Sequence, residues 1–373
     1  MRTPGPSRCA GVDDMATDEE RGMIGPRPDV VLMEGYHSPQ VDVPVRLNTN
    51  EAPEPPPAAW VREVTAAVAD IDWNRYPDRG ATGLRKKLAD LHSVDPAQVF
   101  VANGSNEVLQ TLLVAYGGPG RSAAVFEPTY ALHSHIARLT ATDVVVGERN
   151  ERFELDPDEL ERLLDETEPA VTFLCSPNNP TGMVEADEVI EAAVEDAPGL
   201  VVVDEAYGQF APRSALDRVT ADGPLVVTRT YSKTWAMAGA RLGYCIGSVD
   251  VVEQLWKVVL PYHVDSFKQI AGTLALDHVD EMEARVSRLV EERGRLVAAL
   301  TELDVQVWPS GANFVLFRPT ARDGEEVWQQ LLDAGVLVRN CATWPRLAGC
   351  LRVTIGTPDE DDSFLDALRR ILA

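Results

Sequence analysis

Between residues 99 and 247 short apolar runs that read as buried strands alternate with longer stretches of helical period, and this alternation points to a mainly parallel sheet covered by helices on both faces. Val99-Phe-Val-Ala102, Phe173-Leu-Cys175 and Leu200-Val-Val-Val-Asp204 are apolar almost to the last residue, and Leu225-Val-Val-Thr-Arg-Thr230 begins the same way. Each run stops at a polar cluster. In open sheets of this kind ligands gather at the carboxyl ends of the strands, so the four clusters are the place to look for chemistry.

The segment Thr230-Tyr-Ser-Lys-Thr-Trp-Ala-Met-Ala-Gly-Ala-Arg241 puts one lysine after a hydroxyl pair and eight residues before an arginine. Lys233, at a strand's end, can condense with an aldehyde, while Thr230, Ser232 and Arg241 can hold a phosphate through two hydroxyls and a planar guanidinium fork. Alone, the Ser-Lys pair more often marks just a helix start. The run ending in Asp204 would also suit the acidic strand of a nucleotide hydrolase, but no G-x-x-x-x-G-K-[ST] loop occurs in the chain, which excludes that class. A carboxylate beside Lys233 suits a pyridine nitrogen instead, because the ion pair keeps the nitrogen protonated; Tyr207, three residues on, would reach an oxygen on the same ring. Ser176-Pro-Asn-Asn179-Pro180-Thr-Gly182 is a turn cluster, and Asn103-Gly104-Ser105-Asn106 reads as a glycine turn opening a helix, whose backbone N–H groups attract phosphate.

Taken together, these motifs resemble the fold-type I pyridoxal phosphate (PLP)-dependent aminotransferases of the aspartate aminotransferase superfamily, and among them the histidinol-phosphate aminotransferases. The resemblance runs from about Tyr36 to the C terminus and includes Arg46-Leu-Asn-Thr-Asn50-Glu51, Arg75-Tyr76-Pro77-Asp78, Glu127-Pro-Thr-Tyr130, Leu260-Pro-Tyr262-His263 and Leu351-Arg352-Val-Thr-Ile-Gly356. After Glu51 the usual Asn-Pro is replaced by Ala52-Pro53. The resemblance implies an α/β fold with a large domain built on a mostly parallel central sheet and a smaller α+β domain, with PLP as cofactor. It implies catalytic roles for Lys233, Asp204 and Tyr207. Around the cofactor it implies Gly104, Ser105, Asn106, Tyr130, Asn179, Thr230, Ser232 and Arg241, with Tyr76 reaching from the partner subunit of a homodimer with shared active sites. Near the substrate it implies Tyr36, Asn50, Tyr262, Arg339 and Arg352. The two arginines stand thirteen positions apart, and Cys341-Ala-Thr-Trp-Pro-Arg346 between them departs from better-known members. The implied substrates are histidinol phosphate and glutamate with 2-oxoglutarate; aromatic amino acids, or decarboxylation of a phosphorylated amino acid, remain as alternatives. A PLP-binding regulator fused to a DNA-binding module finds no long or basic N-terminal segment here.

Lys and Arg number 34 against 59 Asp and Glu, a net charge of −25, which argues against nucleic acid or an anionic membrane as partner and leaves any anionic substrate to local arginines. Five cysteines without a C-x-x-C pair fit a reduced cytoplasmic chain, with Cys175 and Cys245 as buried small hydrophobes, and six histidines show no zinc-site spacing. No metal is expected, nor a membrane span.

We expect domains over residues 1–28 (a disordered extension, with Met15, Met23 and Met33 as candidate starts), 29–60 (an arm and small-domain segment), 61–265 (large) and 266–373 (small). Helices are expected near 106–116, 130–141, 156–166, 185–196, 249–259 and 358–371. The charged run 281–303 should be one long amphipathic helix acting as a solvated scaffold. Small-domain strands are expected near 305–308, 313–317, 336–339 and 351–355. The tight turns before Pro180 and Pro128 are candidates for cis peptides.

Overall fold

The computed structural model describes residues 25–31, 33, 35 and 41–373. The chain divides into a unit of residues 1–37 and a unit of residues 38–373. The described part of the first holds one short helix, α1 (Pro28–Val31). Tyr36, Cys9 and most of the extension before residue 28 lie outside the described residues.

The second unit opens with β1 (Val45–Leu47), α2 (Ala58–Ala69) and α3 (Thr82–His92). It then lays down β2 (Val99–Ala102), α4 (Ser105–Tyr116), β3 (Ser122–Glu127), α5 (Leu132–Leu139), β4 (Asp143–Glu148), α6 (Pro157–Thr167), β5 (Val171–Cys175), α7 (Asp187–Asp196), β6 (Leu200–Asp204), β7 (Leu225–Thr230) and β8 (Gly243–Ile246). These seven strands form one sheet in the order β2-β8-β7-β6-β5-β3-β4. Only β8 runs antiparallel to its neighbours, so the carboxyl ends of β2, β5, β6 and β7 share an edge. Every residue of β5, β6 and β7 is buried, which is why these runs lack the alternation of a half-exposed strand.

Helix α6 starts where Asp156 caps it and Pro157 takes the first turn, where a missing N–H costs nothing: the Asp156 side chain accepts from the Asp158 N–H. The bonds before Pro128 and Pro180 are both cis, as the turn chemistry predicts, and so is the bond before Pro177, which it does not.

Beyond β8 follow α8 (Val249–Val258), α9 (Ser266–Ala275), α10 (Val279–Thr301), β9 (Val305–Val307), β10 (Phe314–Pro319), α11 (Gly324–Asp333), β11 (Val336–Asn340), β12 (Leu351–Thr354) and α12 (Pro358–Leu372). A second sheet has the order β1-β11-β12-β10-β9, with β1 parallel to β11 and the rest antiparallel. The N-terminal segment is thereby tied to strands nearly three hundred residues away. α12 begins with a capping box, Thr357 and Glu360 each answering the other's backbone N–H, with Pro358 at the first helical position.

The long helix α10 corrects one expectation. It is amphipathic, but more than a solvated scaffold: Met282, Arg285, Leu289, Leu296 and Leu300 form a buried stripe at helical spacing. Met282 packs with Trp60, Tyr231 and Trp235 beside the first sheet, whereas Leu289, Leu296 and Leu300 join Phe314, Phe317 and Phe364 in the core of the second.

Gly243 in β8 faces the first turn of α4 so closely that a Cβ would lie 2.5 Å from the Gly104 carbonyl carbon, a backbone atom that cannot swing aside. Overpacking of this kind typically costs ~1–3 kcal/mol. Gly243→Ala should therefore lower the urea midpoint of unfolding without changing the slope. An unaltered midpoint would mean that the helix start can retreat from the sheet at no cost.

Candidate active site

Four strand ends meet on the shared edge. After β7, Thr230 Oγ1 and Ser232 Oγ lie 3.0 Å apart, and Arg241 Nη1 donates to Ser232 Oγ at 3.1 Å. Across from them the turn after β2 brings Gly104, at φ +85°, against the same guanidinium: a Cβ there would come within 2.9 Å of Arg241 Nη2. Ser105 and Asn106 start α4, so its free N–H groups open beside Arg241. Among the described residues Arg241 has no acidic partner. A guanidinium, two hydroxyls and a helix N-terminus make an anion cradle that suits a phosphate monoester, and the first-turn Glu107 is turned back onto the Asn103 N–H and side-chain amide.

At the end of β6, Asp204 is buried and three donors face its carboxylate. His133 Nε2 lies 3.1 Å from Oδ2, while the Ala206 N–H and Thr228 Oγ1 each donate to Oδ1 at 3.1 Å. His133 is a site residue that sequence reasoning misses. It lies on α5, its ring stacked on Phe173 at 4.8 Å and set edge-on to Tyr130 at 5.4 Å, and its Nδ1 is buried without a hydrogen-bond partner. The one local signal is its place three residues after Tyr130, on the same face as that ring.

Lys233 Nζ donates to the Thr49 carbonyl at 3.1 Å and lies 5.8 Å from the centre of the Tyr207 ring. Burial is the main cause that lowers its pKa from 10.5 to about 8; the Arg352 and Arg241 charges push the same way, and Glu51 opposes them. Burial likewise raises the Tyr207 phenol to about 12. Tyr207 OH accepts from Asn50 Nδ2 at 2.9 Å, and Asn50 is fixed in turn by Thr354. Asn179 Oδ1 accepts from Arg352 Nη1, and Arg352 Nη2 donates to the Asn48 carbonyl at 3.0 Å. Residues 48–50, Asn179, Tyr207, Lys233 and Arg352 are thus one hydrogen-bonded group.

Arg339 and Arg352 are register partners on β11 and β12. Trp344 sits by both, its ring centre 5.4 Å from the Arg339 guanidinium carbon and 5.9 Å from that of Arg352; Phe314 lies 5.0 Å from Arg352. Tyr130 OH donates to Asn106 Oδ1 at 3.3 Å. Tyr76 stands at the surface, 80% exposed, with its ring stacked on Tyr262 at 4.5 Å. A second residue missed from sequence is Arg285 of α10, buried, which donates to the Thr234 carbonyl at 3.1 Å and to the Pro55 carbonyl at 2.9 Å. It holds the residue after Lys233 and the segment that passes over it, and nothing in a charged helical run distinguishes it.

Capture of an aldehyde requires an unprotonated amine. With the Lys233 pKa near 8, the rate at which the cofactor-free chain captures pyridoxal phosphate should climb as pH rises through about 8, not through 10.5. Borohydride reduction followed by peptide mapping should place the stable adduct on Lys233. A midpoint near 10.5, or a label on another lysine, would contradict the site as described.

A family model described as aminotransferase class I and II matches residues 42–368. A histidinol-phosphate aminotransferase of Frankia casuarinae is 48% identical to the chain, over 90% of it and 87% of the relative. One from Thermobifida fusca is 45% identical, over 92% and 94%. Among solved structures, a putative histidinol-phosphate aminotransferase from Erwinia carotovora atroseptica superimposes with a TM-score of 0.81 at 26% identity, covering 90% of this chain and 98% of that one. The chain belongs to the class I and II aminotransferases, enzymes that use pyridoxal phosphate to move an amino group between two carbon skeletons.

Proposed function

We propose that this aminotransferase carries the amino group of L-histidinol phosphate to 2-oxoglutarate, forming imidazole acetol phosphate and L-glutamate, in L-histidine biosynthesis. The observation that carries the reading is the pair Arg339 and Arg352, set opposite one another on β11 and β12, the second joined through Asn179 and Asn48 to the lysine group. One pocket must accept glutamate, with an α-carboxylate, and histidinol phosphate, with a phosphate and no α-carboxylate. A guanidinium serves both groups. The relatives named above support the substrate class.

Pyridoxal phosphate, when bound, supplies the aldehyde that accepts the amino group and a ring that draws electrons from the amine-bearing carbon. We assign Lys233 as the covalent attachment point. A desolvated amine with a pKa of about 8 is free enough of its proton near neutrality to take one from that carbon and return it elsewhere. Asp204, oriented by His133, Thr228 and the Ala206 N–H, would pair with the ring nitrogen; Tyr207 and Asn179 would bond the ring oxygen, and Tyr130 would stack on the ring. Gly104, Ser105, Asn106, Thr230, Ser232 and Arg241 would hold the cofactor's phosphate. Arg352 binds the α-carboxylate of glutamate in one half-reaction and the substrate phosphate in the other, where Arg339 adds a second fork; Asn50, Tyr262 and Tyr36 complete the substrate side.

The proposal includes a cytoplasmic homodimer in which Tyr76 completes the partner's phosphate cradle. Trp73, Tyr76 and Leu260, all more than 70% exposed, together with Tyr262 and Phe267, are large apolar side chains that favour a protein contact. Four cysteines, Cys175, Cys245, Cys341 and Cys350, are free thiols, in keeping with a reducing compartment. The proposal also includes a large domain over 61–265 and a small one over 266–373, with 29–60 as an arm and small-domain segment; the two separate sheets and the place of β1 in the second support it, whereas Ala271 and Ala275 of α9 pack beside the first sheet.

A half-reaction panel tests the substrate. The protein should lose its cofactor absorbance rapidly with histidinol phosphate and glutamate. Arg339→Ala should raise the KM for histidinol phosphate about tenfold or more, since removing a charged hydrogen-bonding partner costs ~2–5 kcal/mol when the other charge is left buried, and affect phenylalanine far less. Equal losses on both would favour an aromatic amino acid aminotransferase. For the shared site, mixing inactive Tyr76→Phe and Lys233→Ala chains should restore part of the activity in hybrid dimers; hybrids as inactive as their parents would confine Tyr76 to its own subunit.

A further inference from the structure

The stretch Pro53-Glu54-Pro55-Pro56-Pro57 continues the segment that passes over Lys233, and its four prolines have no backbone N–H. It can be tied down mainly through its carbonyls and the Glu54 side chain. Glu54 meets Arg288 at 2.8 Å, but both side chains are about half exposed, and an ion pair in water holds little. Beneath the stretch, Pro53 and Glu54 border a cleft of about 490 Å3 that they share with Arg285, Leu289 and Pro358, so packing supports it poorly there.

The Pro55 carbonyl accepts from Arg285 Nη2 at 2.9 Å, and Nη1 of the same guanidinium donates to the Thr234 carbonyl at 3.1 Å. Arg285 is buried and its Nε has no hydrogen-bond partner, so a cation has left water for two neutral acceptors. Such burial is costly, and what it secures is geometry. The two Nη atoms belong to one rigid plane, so the fork fixes how far the covering segment stands from the residue after Lys233. A second tie between these two pieces is the Lys233 Nζ bond to the Thr49 carbonyl, but that bond uses the amine itself. Arg285 joins them without it.

We infer that Arg285 is a positioning residue for the amino-transfer reaction: it clamps the proline-rich stretch to the lysine turn, and so keeps water from Lys233 and holds its amine in line while that amine is engaged in chemistry. Arg285 acts through the Thr234 and Pro55 carbonyls. The inference rests on the reading of Lys233 as the reacting amine.

The test compares wild type with Arg285→Met, which keeps an unbranched side chain and removes both donors, and with Arg285→Lys, which keeps the charge but offers a point in place of a fork. As holoenzyme, Arg285→Met should lose about tenfold in kcat, the size of one lost hydrogen bond to a charged group, while the KM values for histidinol phosphate and glutamate move no more than about threefold. Two further readouts separate positioning from general weakening. In the cofactor-free chain, the pH midpoint for capture of pyridoxal phosphate should rise from about 8 by about one unit, because water admitted beside the amine favours its charged form. Amide exchange should quicken in peptides covering residues 45–52 and stay unaltered in those covering β5 and β6. Arg285→Lys should fall between wild type and Arg285→Met in all three measurements, and it decides if Arg285→Met does not fold. Wild-type values in a folded Arg285→Met, or in Arg285→Lys where only that variant folds, would overturn the proposal, and so would a loss of kcat with the midpoint and the exchange of residues 45–52 unmoved. Borohydride labelling of the wild type keeps the two readings apart: a label on Lys233 with no shift in the variants overturns only the role of Arg285, whereas a label on another lysine overturns the reading of Lys233 as well.

Discussion

A single amine held away from water governs the rest of the structure. Burial and two guanidiniums disfavour the proton on Lys233, and burying an amine is tolerable only where its remaining hydrogen bond is provided for. The Thr49 carbonyl provides it. That carbonyl belongs to a segment laid over the lysine by contacts from every side: Asn50 to Tyr207 and Thr354, Asn48 to Arg352, and Pro55 to Arg285. The order of the segment 48–55 and the pKa of the lysine are one property seen from two ends.

The chain carries a net charge of −25, yet the inner face of this site is cationic, with Lys233, Arg241, Arg339 and Arg352 gathered around it. The contrast resolves into local geometry. Asp204 and Glu205 are adjacent acids at the end of β6, and successive side chains leave a strand on opposite faces. Asp204 meets His133, Thr228 and the Ala206 N–H, whereas Glu205 turns to Arg229 at 2.8 Å and to Ser214 and the Ala215 N–H behind the site. Removing either partner of so buried a pair strands a charge. Glu205 and Arg229 thereby fix the strand end that carries Asp204.

Helix α10 links the two sheets mechanically as well as by packing. One end sits with Trp60, Tyr231 and Trp235, the other with the core of the second sheet, and between them Arg285 grips the carbonyl that follows Lys233. This helix and the segment 48–55 both join the second sheet, which bears Arg339 and Arg352, to the lysine turn.

Much of this could be read from the residues alone. Buried strands announce themselves by unbroken apolar runs, and their polar ends placed Lys233, Asp204, Asn179 and Gly104 on one edge before any coordinates. The helix starts expected near 156 and 358 fell within a residue or two of the observed ones, because caps and prolines act locally. Helices α2, α3, α9 and α11 were not anticipated: each is short, and its apolar face depends on which neighbour covers it. The pairing of β1 with β11, the reversed direction of β8, the contact of His133 with Asp204 across 71 residues and the grip of Arg285 on Thr234 across 51 were decided by the tertiary structure. Local sequence determines period, caps and turns, since those energies arise between near neighbours. Which distant side chain fills a buried hydrogen bond is settled only when the sheets close, because only then does leaving it unfilled carry a cost.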